Sequence, residues 1–397
     1  MVGDKGGIGR LELIKRKFVS ELARIEIEPP PSALRPAAAS ERSARGVIVP
    51  MAPDTVPSPS SVQSGGQPAG GGVVRPQSPP RETTVVYMLS SPHSGSTVLG
   101  ILLGSHPSIF FAGELNAVPD PAWRPGRLCS CQSETRNCEF WSAVRGDFEV
   151  NGSIEDLRQG RRRYEEWRSV PAGILLHTGR SKGIVAHTDR LADLVQIISA
   201  RSGKPLVIDS SKTAGRGMLY GWIQRSGMNV RYLHVVRDGR GVVWSRKIRG
   251  LRKDVGPNWR TRPVPVLALL WVGANLLSGL MFSFRRGRYL RLRYEDLVAD
   301  PGATLERVGR FLGVDLTEVI AGARIQRPFP VTHVVEGNRL RLNRTLTLKA
   351  ETKWESDLPP TDERMIWGIT GRLERWYGYR ARTVPPSQRA SQVAPSG

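Results

Sequence analysis

Cysteine is nearly missing from this chain: there are three in 397 residues, all between Cys129 and Cys138. That is too few for a disulfide framework. No secretory signal pattern opens the chain, so a reducing cytoplasm is the expected compartment. Acid is short too, with 36 Asp and Glu against 58 Lys and Arg, a formal charge of +22. Such a surplus calls for an anionic ligand or partner. The basic residues are spread along the chain, without a recognition helix, zinc finger or aromatic RNA-binding signature, so no specific nucleic-acid reader is expected. Long apolar runs are lacking except for Val264–Phe284, which Arg285 and Arg286 follow. That run could cross a bilayer. Asn275 interrupts it, Ser278 and Gly279 weaken it, and a strand-like segment follows at once, so a buried core helix is expected, with contact at a membrane surface left open.

What is present suffices for one large domain, 39% of residues being hydrophobic. Residues 1–82 begin with an amphipathic piece, Arg10 to Ile27, and continue as a Pro, Gly, Ser and Ala tract whose apolar content is too low to offset chain entropy. A disordered arm is expected there, and a disordered tail over 385–397. From Thr83 short apolar runs alternate with helical periodicity, which implies an α/β fold: a P-loop-like parallel sheet flanked by helices, in a single domain over 83–384. Strands are expected at Val85–Leu89, Pro205–Ile208, Val230–Val236 and Tyr289–Arg293. Helices are expected at Ser96–Leu103, Arg190–Arg201, Gly217–Gln224, Arg240–Lys247, Val264–Phe284 and Pro301–Leu312, with Pro121–Thr188 as an irregular insertion.

Four segments carry chemistry. The strand TTVVYML runs through SSPHSGST into the helical run VLGILLG. A glycine-containing turn between strand and helix can cradle a phosphate on the helix's unpaired N–H groups, with Gly95 allowing close approach and Ser96 and Thr97 adding hydroxyls. Taken alone it is also an ordinary serine-rich turn with Ser94 or Ser96 as cap. It lacks the lysine of the nucleoside-triphosphate loop, Ser96 standing in that place, so it suits a single 5'-phosphate and another leaving chemistry. In RYLHVVRDGRGVVWSRKIRG, Arg237 ends a strand and Ser245 lies eight residues on, so two helical turns can bring a hydroxyl and Arg249 to one anion. The plain alternatives are an Arg237–Asp238 ion pair and a solvated Arg249. Glu114, in SHPSIFFAGEL, and Lys212, in LVIDSSKTAG, each follow a short apolar strand. They read either as a base and a cation at the cleft or as a structural carboxylate and a loop lysine, with Asp209 as a magnesium-binding acid in an NTPase.

In this order the segments resemble the sulfotransferase superfamily, whose 5'-phosphosulfate loop reads roughly P-[RK]-[ST]-G-[ST]-[TS]. Pro92 to Thr97 fit except at His93, where the family has Arg or Lys. The resemblance spans Val85 to Trp354. It implies sulfuryl transfer from 3'-phosphoadenosine-5'-phosphosulfate (PAPS) to a hydroxyl or amine, with no metal required. His93, Ser94, Gly95, Ser96 and Thr97 would hold the phosphosulfate, and Arg237, Ser245 and Arg249 the 3'-phosphate. Glu114 is similar to the base of tyrosylprotein and several carbohydrate sulfotransferases, which also carry a His-Pro pair, here His106 and Pro107. Lys212 matches the lysine on the leaving oxygen. HVVEGNRLR and LKAETKW would place Asn338, and Lys353 with Trp354, near the donor, while RYEDLVADP matches as scaffold. The acceptor, whether small molecule, glycan, lipid or peptide, is not named by the sequence, and its pocket is expected in Pro121–Thr188 and Arg252–Arg262. The competing readings are a P-loop nucleotide or sugar kinase and a non-catalytic binder of anionic polymer. His234 and His333 are expected to be structural. Cys129, Cys131 and Cys138 have no obvious fourth ligand and an unusual Cys-x-Cys spacing, so reduced or facultatively paired thiols are expected rather than a metal.

Overall fold

The run TVVYML is apolar at nearly every position because both faces of its strand are covered. Val85, Tyr87 and Leu89 enter one core, and Val86 and Met88 the other. The computed structural model describes residues 82–382 apart from 121, 166–181, 224–227 and 252–261, and within its helices all side chains but those of 223 and 249–251. The expected arm up to residue 81, the tail, most of the 252–262 loop and part of the insertion lie outside the described residues.

In chain order the elements begin with β1 (Thr84–Leu89), α1 (Ser96–Gly104), β2 (Ile109–Gly113), α2 (Glu139–Asn151), α3 (Ile154–Gly160) and α4 (Lys182–Ser202). They continue with β3 (Leu206–Asp209), α5 (Ala214–Ile223), β4 (Asn229–Val236), α6 (Gly239–Leu251), α7 (Val264–Phe282), β5 (Tyr289–Arg293), α8 (Tyr294–Ala299), α9 (Pro301–Leu312) and α10 (Thr317–Arg324). A two-stranded pair, β6 (Phe329–Pro330) and β7 (Thr345–Leu346), precedes α11 (Trp354–Asp357) and α12 (Pro360–Trp376).

The five-stranded sheet runs β2-β3-β1-β4-β5, parallel throughout. Every expected strand is present, joined by β2 along Ile109–Gly113. From β1 the chain passes to the edge strand β2, returns to β3 beside β1, and then crosses to β4 and β5 on the other side. Ligands in such sheets gather beyond the carboxyl ends of the strands where the strand order reverses, here β3, β1 and β4.

Two expectations change in detail. The described residues within 121–188 hold more helix than their pattern suggests: α2 buries Trp141, Val144 and Phe148 at helical spacing. The helix expected to be core, α7, is buried along one face only, through Leu267, Ala268, Trp271, Asn275, Ser278, Gly279 and Phe282. Leu269 and Leu276 on its other side are 59% and 41% exposed, and by length and composition the helix could cross a membrane. Asn275, which argued against a membrane span, accepts at Oδ1 a 3.1 Å hydrogen bond from Nε2 of the fully buried His234, whose Nδ1 meets the Tyr289 hydroxyl at 2.7 Å. Burial drives His234 down to about 3 and keeps the ring neutral, in the structural role expected of it.

Candidate active site

The loop after β1 turns so tightly that its backbone enters the left-handed region twice, at His93 (φ 72°) and at Gly95 (φ 88°). Gly95 is the residue before α1, and a Cβ there would collide with the ring of Tyr294, so only glycine fits the turn. α1 has no side-chain cap and no acid in its first turn, which leaves its N-terminal N–H groups directed at whatever sits over the loop. The hydroxyls of Ser90, Ser91 and Ser94 are buried with no hydrogen-bond partner among the described residues. Orphaned hydroxyls, a bare helix N-terminus and a glycine that cannot be enlarged fit a bound phosphosulfate.

Arg237, at the end of β4, reaches this loop from the other strand. It is 5% exposed, its Nη1 donates to the His93 carbonyl at 3.2 Å, and its guanidinium lies 4.8 Å from the Tyr294 ring centre. Burial raises the Tyr294 hydroxyl above its usual range and Arg237 opposes that shift, so the ring facing the cation is neutral. The Ser245 hydroxyl meets His93 Nδ1 at 2.9 Å, so Arg237 and Ser245 both contact His93. The alternative Arg237–Asp238 pair does not form. Asp238 pairs with Arg240 at 2.7 Å, and Arg237 pairs with Glu351 at 3.0 Å.

The third corner is built by β2 and β3. Gly113 ends β2 with φ 89°, and a Cβ there would overlap the Val335 carbonyl, so the strap 332–335 lies directly against the strand. Glu114 follows, its N–H donating to Val335 O at 3.0 Å, and Nζ of Lys212 lies 2.5 Å from its Oε1. Lys212 itself is held at φ 68°. Asp209, at the end of β3, sets both loops. Its Oδ1 accepts from the N–H groups of Leu115 (3.3 Å) and Ser211 (2.9 Å), and its Oδ2 from Arg216 Nε (2.7 Å) and the Tyr220 hydroxyl (2.8 Å). Those donors saturate the carboxylate, so Asp209 positions the neighbours of Glu114 and Lys212 and has no lone pair free for magnesium.

These groups line a cleft of about 560 Å³ whose walls include His93, Gly95, Ser96, Thr97, Glu114, Lys212, Arg237, Ser245 and Asn338. A second cavity of about 510 Å³ adjoins it through His93, Ser245, Asn338 and Glu351 and adds Trp244, Ile248 and Lys353. Asn338 caps a short turn by accepting from Leu340 N–H at 3.0 Å. Ser94 is buried inside the loop. Of the expected site residues, Trp354 is not in either wall: it packs under α6 with Val243, Trp244 and Leu358. The side chain of Arg249, in the last turns of α6, lies outside the described residues. The sequence reading passed over Glu351, the partner of Arg237, and Tyr294, read as scaffold although it walls the cleft. It also passed over Glu336 (φ 47°) and Gly337, which close the cleft over Glu114. His93, Lys212 and Glu336 are three of the five described non-glycine residues with positive φ, a concentration of backbone strain typical of functional sites.

Carbohydrate sulfotransferases are among the proteins that this chain resembles. Human carbohydrate sulfotransferase 5 is 26% identical over 337 residues, covering 74% of this chain and 77% of its own length. Human carbohydrate sulfotransferase 6 is 27% identical over 263 residues, covering 58% and 64%. Among solved structures, the sulfotransferase domain of the Synechococcus PCC 7002 olefin synthase aligns at 21% identity and a TM-score of 0.43, over 78% of this chain and all of that one. The family model described as "Sulfotransferase family" matches residues 86–318, more than half of the chain. The nucleotide-kinase reading falls with that match: this chain belongs to the sulfotransferase family, enzymes that draw their sulfuryl group from PAPS.

Proposed function

We propose that the chain sulfates a hydroxyl of a glycan, with Glu114 as general base. The observation that carries this reading is the 2.5 Å contact of Glu114 with Lys212 in the wall of a cleft that Arg237 and Ser245 also line. It brings a proton acceptor and a cation within the width of one sulfuryl group. Arg237 and Ser245 take the 3'-phosphate of the donor, and the loop from Pro92 to Thr97 takes the phosphosulfate. Glu114 accepts the acceptor's proton as its oxygen bonds to sulfur. The bridging oxygen departs on adenosine 3',5'-bisphosphate, its growing charge met by Lys212 and the N–H groups of α1. The glycan class is supported by the carbohydrate sulfotransferases to which the chain is similar.

Transfer of labelled sulfate from PAPS across glycans, lipids, phenols and peptides tests the acceptor class, and labelling of a phenol or lipid but no glycan removes it. Calorimetry tests the donor side. Adenosine 3',5'-bisphosphate is expected to bind far more tightly than AMP, and Arg237→Ala to lose a charge-assisted contact of about 1.5 to 3 kcal/mol. Equal affinity for AMP removes the 3'-phosphate assignment.

A further inference from the structure

The fourth ligand that the three cysteines lack in sequence is supplied by the fold. Cys129 and Cys131 lie in a turn closed by Gln132 N–H to Cys129 O (3.0 Å) and Cys129 N–H to Ser133 O (2.9 Å). Cys138 is the residue before α2. His333, about two hundred residues on, comes in on the strap, where the Trp141 indole donates to its carbonyl at 3.0 Å and Phe140 stacks on its ring at 5.3 Å. The three sulfurs and one His nitrogen all lie within 4.8 Å of one another.

We propose that Cys129, Cys131, Cys138 and Nδ1 of His333 bind one structural zinc ion. A tetrahedral ion with Zn–S of about 2.3 Å and Zn–N of about 2.0 Å separates its ligands by about 3.8 Å between sulfurs and about 3.5 Å between sulfur and nitrogen. Cys131 and Cys138 Sγ are 3.6 Å apart, and His333 Nδ1 is 3.3 Å from Cys138 Sγ and 3.9 Å from Cys129 Sγ, so these three separations already stand near tetrahedral values, and every other pair of donors lies within 4.8 Å. Three soft sulfurs and an imidazole select zinc over magnesium or calcium, which take oxygen. A closed set of four protein ligands is a structural arrangement and leaves no open position for catalysis. Cys129 and Cys138 are buried and Cys131 is exposed, which gives the ion a way in.

The ion ties the insertion to the strap that becomes the cleft wall at Glu336, Gly337 and Asn338. Ser130 reinforces the same junction, donating to Thr332 O and accepting from Val334 N–H at 2.7 Å. Bound there, the ion stiffens the wall beside Glu114 whatever donor or acceptor the cleft takes.

Elemental analysis of the tag-free chain, purified under reductant, is expected to give one zinc per chain. The zinc content should fall at least tenfold in Cys131→Ser and His333→Ala. Cobalt added to the wild-type chain after chelation should give the visible bands and thiolate charge transfer of a tetrahedral site, and zinc should protect all three thiols from a thiol reagent. The wild-type cobalt measurement decides the matter even if a variant fails to fold. Overturning outcomes are absence of metal and of cobalt bands in the reduced chain, thiols that react equally with and without zinc, or a Cys131–Cys138 disulfide in a chain that stays metal-free once reduced.

Discussion

Glu114 and Lys212 differ in what their neighbours ask of them, and a variant that keeps shape separates the two. Glu114→Gln retains the side-chain volume and can still accept from Lys212, so adenosine 3',5'-bisphosphate should bind with unchanged affinity while transfer falls by about 10² to 10⁴-fold. Unchanged turnover with an unchanged pH profile would move the base elsewhere. Both residues were legible because each follows an apolar run that had to be a strand in a parallel sheet, and such strand ends face the ligand. Glu351 was not legible. Its claim on Arg237 spans 114 residues and rests on no periodicity or local motif. Asp209 was visible as a strand-end acid but misleading by type, since nothing in LVIDSSKTAG states that Arg216 and Tyr220 would occupy its oxygens.

Helices near the site show the same division between local and distant information. α12 was passed over, although Pro360 at its start and Asp362 and Glu363 in its first turn are ordinary start signals. Its function in the fold is unreadable locally: Glu374 Oε1 accepts the first N–H of α6, from Gly239, at 3.0 Å, while Oε2 is buried without a partner among the described residues. Burial first, and then the nearby Asp238 charge, push the Glu374 carboxyl up to about 8 from an ordinary 4.5. The folded chain therefore keeps a proton that the unfolded chain releases. That contribution to stability is complete below pH 4.5 and is lost as pH rises through 8, with a slope of at most about 1.4 kcal/mol per pH unit. Urea midpoints should fall between pH 6 and 8, and Glu374→Gln should flatten that part of the curve. An unchanged slope in the variant means that another group releases the proton.

At the scale of the whole molecule, 58 bases against 36 acids give a long-range field that no single contact describes. The Michaelis constant for a polyanionic glycan should rise steeply with salt, while that for a neutral glycan of the same length stays nearly flat. Parallel slopes for the two acceptors would confine the electrostatics to the donor cleft. The overall α/β plan was legible from Thr83 onward because continuous apolar runs separated by helical pattern admit few other arrangements. The union of residues 128–138 with 332–335 was not, being a matter of chain closure.

That union also sets an order of events. Ser130 meets Thr332 across a sequence separation of 202, so the strap cannot dock until residues 332–335 have left the ribosome, long after β1 and its loop exist. Closing so large a loop is entropically late and kinetically slow. The loop from Pro92 to Thr97 is expected to stay open on one side until the wall at Glu336 to Asn338 is added. Nucleotide binding is expected to mature when the strap docks, so a nascent or refolding chain should be captured by its own by-product nucleotide after that event and not before it.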